Sequence, residues 1–176
     1  QPDGNTLWAA NQFTITQPLT AQRIFFYHGV AGTGGYWRAG IYTDSAGFPS
    51  SLVVDSGEYP MTQGTGWQYL SVAASYLAAG TYWIALISDI AGQPGYIRWK
   101  QDVPHYQAIV KQPYTYGALP STFPSDATSG WAGPISAYVQ GAQIKGYGKA
   151  TKAALSGGNA SVQSLSFYSH DTGNVR

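Results

Sequence analysis

No stretch of this chain repeats its apolar side chains with the 3.6-residue period of a helix. Runs of aromatic and β-branched residues alternate instead with clusters of Gly, Pro, Asn, Asp and Ser, which is the pattern of short strands joined by turns. The spacing predicts strands over Leu7–Thr16, Ala21–His28, Trp37–Thr43, Leu52–Tyr59, Trp67–Val72, Gly80–Ser88, Tyr96–Lys100 and Ile135–Ile144. Period-two alternation puts Leu7, Ala9, Phe13 and Ile15 on one face of the first strand, and Ile24 and Phe26 inward on the second. The run TYWIALI, from Thr81 to Ile87, is the most apolar in the chain and reads as a central strand buried on both faces. Residues 102–133, rich in Pro, Tyr and Ser, read mostly as loop with a short strand near Ala108–Lys111. The expected fold is all-β, an antiparallel β-sandwich of jelly-roll-like form over residues 1–142.

The remainder, residues 143–176, reads as an incomplete second copy of the beginning. QRIFFYH (Gln22–His28) corresponds to QSLSFYS (Gln163–Ser169), with Ile24 matching Leu165, Phe26 matching Phe167 and Tyr27 matching Tyr168. The inward pair stays apolar while outward Phe25 becomes Ser166, as an alternating strand requires. A strand pair equivalent to the first two strands is marginal alone in water. Four placements are open for it. It completes its own sheet, adds to a neighbouring subunit by strand complementation, begins a second domain completed by another chain, or marks where a longer tandem protein was cut.

Composition narrows the function. Charged residues make up 10% of the chain and the formal net charge is +1, so the clustered Lys and Arg of a nucleic-acid binder are missing. The charge is uneven: residues 1–58 hold four acids against two arginines, and residues 145–176 hold four basic residues against Asp171, which favours head-to-tail contact. With no cysteine, disulfides and cysteine–zinc sites are excluded. No apolar run approaches a membrane span. Gln1 as first residue fits a processed or trimmed N-terminus.

The string GIYTDSAGFPSSLV, a GW further on, and LAAGTYWIAL give the chain a known likeness. Over about residues 7–96 it resembles the repeated extracellular β-sandwich modules of secreted bacterial and archaeal surface proteins, the choice-of-anchor-like modules. That resemblance implies a non-enzymatic module with roles in adhesion, surface assembly or carbohydrate contact.

No catalytic constellation emerges. His28, His105 and His170 lack metal-ligand spacing, and no cofactor motif is present. The aspartates sit in turn contexts such as Asp44-Ser45 and Asp55-Ser56-Gly57, where a carboxylate accepts from nearby backbone N–H groups. A calcium site lacks the ligand density it needs. Aromatics, at 15% of the chain, are the stronger signal. Trp99, His105, Tyr106, Tyr114, Tyr116 and Trp131 gather in the least regular segment. There they are either sugar platforms or rings that pack the loop onto the sheet. Trp37, Trp67, Tyr82 and Trp83 read as core or rim packing. Asn159-Ala160-Ser161 is a glycosylation sequon.

The expected function is thus a non-enzymatic extracellular module. It would build a surface filament or tandem-repeat adhesin from copies of itself, with Leu165, Phe167 and Tyr168 as the assembly strand. The alternative is a carbohydrate-binding module using loop aromatics.

Overall fold

A computed structural model describes residues 6–28, 35–60, 66–89, 108–131 and 136–143, all within one unit, Gln1–Lys145. Every regular element among them is a strand: β1 (Thr6–Ile15), β2 (Leu19–His28), β3 (Tyr36–Ser45), β4 (Phe48–Asp55), β5 (Tyr59–Pro60), β6 (Gly66–Leu77), β7 (Gly80–Ser88), β8 (Ala108–Pro113), β9 (Thr128–Trp131) and β10 (Ala137–Gln143). All pairings are antiparallel. The large sheet has the order β4-β3-β7-β1-β8-β9, with β5 also paired to β3; the small sheet is β10-β2-β6. The fold is an antiparallel β-sandwich, jelly-roll-like in that β1, β2 and β3 alternate between the sheets, as do β5, β6 and β7.

Between the sheets lies one core, in which Ile24 and Phe26 of β2 and Leu70 and Leu77 of β6 meet Trp37, Ala39 and Ile41 of β3 and Tyr82, Ile84 and Leu86 of β7. A second core covers the opposite face of the large sheet. There Tyr42, Trp83, Ala85 and Ile87 are roofed by Leu119 and Phe123 from the segment joining β8 to β9. Strand β7 feeds both cores with alternate residues, as its unbroken apolar run predicts.

The roof is fastened by backbone and side-chain bonds. Leu52 N donates to Ser121 O at 2.9 Å and Phe123 N to Ser50 O at 2.7 Å, so the roof also caps the outer edge of β4. The Tyr42 hydroxyl donates to Pro120 O at 2.8 Å, and Leu119 N donates to the Asp55 carboxylate at 3.0 Å. Asp55 also accepts from the Arg38 guanidinium at 2.8 Å and from Gly57 N at 2.8 Å. Gly40 makes the roof possible: a Cβ there would run into Leu119 and the Val54 carbonyl.

Four sequence expectations are corrected. Leu7 and Ala9 do not share a face with Phe13 and Ile15. A β-bulge between Ala9 and Asn11 inserts one residue, so Leu7 and Ala9 enter the roofed core while Phe13 and Ile15 pack against the inter-sheet core. The first two strands are not a pair: β1 lies between β7 and β8, and β2 between β10 and β6. Residues 52–59 do not form one strand; β4 ends at Asp55, and Gly57, at φ 72°, turns the chain into β5. The stretch after residue 102 contains β9, four residues with Ser129 and Gly130 at their centre, too short to show an alternating pattern. The expected strand Tyr96–Lys100 and the strand-like tail from Ile144 onward lie outside the described residues.

Candidate functional site: an aromatic face on the small sheet

The two sheets end differently at solvent. The large sheet is covered on both faces, whereas the outer face of the small sheet has no layer over it among the described residues. Register decides what that face carries. Across β6, β2 and β10 the aligned rows are Trp67 with Tyr27; Tyr69, Phe25 and Tyr138; and Ser71, Arg23 and Gln140. These positions alternate with Ile24, Phe26 and Leu70, which point into the core, so the outward residues are rings with a polar end row.

The rings contact one another. Phe25 stacks on Tyr138 with centroids 4.7 Å apart and planes 3° from parallel, and lies 5.3 Å from Tyr69. Trp67 meets Tyr27 and Tyr138 edge-on at 5.7 and 5.2 Å. Cross-strand aromatic pairs of this kind stabilise a sheet by roughly 0.5–1 kcal/mol each. That contribution does not require exposure, yet Trp67 is 51% exposed, Tyr69 49% and Tyr138 45%. A contiguous exposed ring cluster is the surface feature that most needs an explanation. Arg23 closes the cluster, its guanidinium 4.8 Å from the Tyr69 ring centroid and within 3.4 Å of Gln140 Oε1, to which it donates.

The sequence located binding rings elsewhere. Tyr114 is half-buried, its hydroxyl donating to Ala118 O at 3.1 Å, and it packs against the roofed core with Tyr116. The Tyr116 phenol is pushed up to about 12, by burial first and then by the charge and hydrogen bond of Glu58. Trp131 ends β9, its backbone paired with Ala108, and its side chain is outside the described set, as are Trp99, His105, Tyr106, Asn159, Leu165, Phe167 and Tyr168. Trp37, Tyr82 and Trp83 are core residues, as expected, but Trp67 belongs to the exposed face. The missed signal is aromatic spacing of two, Phe25/Tyr27 and Trp67/Tyr69, on strands whose intervening residues are inward. Only the pairing of β2 with β6 and β10 shows that these rings share one surface.

Two carboxylates take up turn and anchoring roles. Asp44 accepts from the Trp83 indole at 2.7 Å, from Gln12 at 2.8 Å and from Gly47 N at 3.1 Å. Asp55 holds Arg38 and the roof. Among the described residues no three His, Asp or Glu side chains converge, and no helix is long and apolar enough to cross a membrane. The chain matches no family model, no curated protein and no solved structure.

Proposed function

We propose that the protein is a non-enzymatic extracellular binding module that holds polysaccharide on the outer face of its small sheet. The observation that carries this reading is the exposed cluster of Trp67, Tyr69, Phe25 and Tyr138, bordered by Arg23, Gln140 and Ser71. Sugars offer C–H faces to aromatic rings and hydroxyls to amide and guanidinium donors, and a rigid sheet presents both at fixed spacing. The sparse charge of the chain agrees with a ligand met through hydrogen bonds and apolar contact. Substitutions Trp67→Ala, Tyr69→Ala and Tyr138→Ala are expected to weaken retention on insoluble polysaccharides by roughly two- to tenfold per ring, with unchanged melting temperature within a few degrees. Retention unaltered in the Trp67→Ala/Tyr69→Ala double variant would sink the reading.

A second reading, assembly of copies into a surface fibre or adhesin array, is favoured by a separate observation. Whereas the roof caps β4, the 12-residue strand β6 has β2 on one side and no strand on the other among the described residues. An open strand edge is a template for strand addition, and the chain contains a β2-like segment carrying Leu165, Phe167 and Tyr168. Because β1 and β2 lie in different sheets, the donor would be one strand, not a hairpin. Negative-stain microscopy of chains lacking residues 146–176 tests this: fibres that persist without that segment exclude it as the donor.

A further inference from the structure

We infer that the ligand of the aromatic face is an acidic polysaccharide, bound through Arg23; this rests on the binding reading above. Among the described strands of the small sheet, Arg23 is the sole residue bearing a fixed charge. The segments LTAQRIFFYH, GWQYLSVAASYL and AYVQGAQ contain no Asp or Glu. The described acids, Asp44, Asp55, Glu58, Asp89 and Asp126, all belong to the large sheet or its connections. An exposed arginine on a surface otherwise built of rings, amides and hydroxyls gives that face one positive pole with no counter-charge among the described residues of the small sheet.

The arginine is also directed by its neighbours. It sits on the middle strand, its guanidinium 4.8 Å from the Tyr69 ring of β6 and 3.4 Å from the Gln140 Oε1 of β10, so both neighbouring strands bias it toward the aromatic row. A guanidinium has five N–H donors, and Gln140 takes one; its remaining donors have no acceptor among the described residues. Their fork matches a carboxylate in two-point geometry. The row of Tyr69, Phe25 and Tyr138 lies directly beside it, one side-chain repeat along the strands or roughly 7 Å away. A sugar ring resting on the aromatic row therefore brings an attached carboxylate to Arg23. A polymer whose sugars bear carboxylates, a polyuronate, satisfies both halves of the surface at once.

The test uses the whole chain with two probes, polygalacturonate and the same polymer after carboxyl reduction, titrated by calorimetry at low and at physiological salt. The expected result is a preference of about tenfold for the acidic polymer, the scale of one charge-assisted hydrogen bond. That preference shrinks with salt and disappears in Arg23→Gln. Equal binding of both polymers, or a preference that survives Arg23→Gln, overturns the role of Arg23 and leaves the aromatic reading intact. Binding of neither polymer overturns this inference, and failure of Trp67→Ala to alter retention on any polysaccharide separately overturns the aromatic reading. Light scattering that shows a dimer dissolved by Trp67→Ala also overturns it, by assigning the face to a second copy.

Discussion

The indole N–H of Trp83, in the middle strand of the large sheet, donates to the carboxylate of Asp44 at 2.7 Å, tying the buried β7 to the end of the β3–β4 hairpin. Gln12 of β1 and Gly47 of the turn donate to the same group, so a single carboxylate joins three strands.

Replacing Asp44 with Ala leaves the buried indole without its acceptor and is expected to cost about 1–3 kcal/mol in urea unfolding. Burial alone would raise the Asp44 carboxyl, but the donors Trp83, Gly47 and Gln12 outweigh it and hold it below its ordinary value. A folded-state pKa below the unfolded one brings stability that is complete above about pH 4 and is lost as pH falls through the folded value. The wild type should therefore lose stability in acid more steeply than Asp44→Asn, as read from midpoints between about pH 5 and pH 2.

At the alkaline end the signs reverse. Burial first, then the charges of Asp55 and Tyr114, raises the Tyr42 phenol; Tyr116 is raised to about 12. A raised folded-state pKa on a tyrosine contributes stability that is full below the unfolded value of about 10 and is lost as pH rises through the folded one. Melting temperature should fall between about pH 10 and 12, and Tyr116→Phe should flatten that fall. Tyrosinate absorbance that rises well before unfolding would contradict this.

Ala46 and Gly47 form the two-residue turn between paired Ser45 and Phe48, with φ 52° and 85°. Both central residues of such a turn need positive φ, which alanine resists. Ala46→Asn is expected to stabilise by about 0.5–1 kcal/mol, measured as a shift of the denaturant midpoint at constant slope.

Gly40→Ala pushes a methyl group against Leu119 and the Val54 carbonyl. The expected cost is about 1–3 kcal/mol. The roof should loosen before the sandwich does, so hydrogen exchange at Leu119 and Phe123 should rise more than at Ile84, and a uniform rise would contradict it.

Much of the sandwich was legible because local patterning was strong. The alternation of β2 gave Ile24 and Phe26 as inward, and the run of β7 gave a strand buried on both faces. What failed to read were events that patterning does not encode. One inserted residue at the bulge reverses the faces of β1, and nothing in WAANQ announces it. Short β9 has too few residues to alternate. Of the rings in the irregular segment, Tyr114 and Tyr116 pack against the second core of the large sheet, a placement that local patterning does not encode. Trp67, Phe25 and Tyr138 become one surface only through pairings distant in sequence.

Double coverage of β7 leaves its alignment unguarded by polarity. A slip by one position would exchange Tyr82, Ile84 and Leu86 for Trp83, Ala85 and Ile87 and still show oil on both sides. Side-chain bulk, the indole–carboxylate tether and the Thr14–Thr81 hydroxyl contact are what tell the right alignment from the wrong one, so errors in threading this strand are the misfolding hazard that the architecture carries.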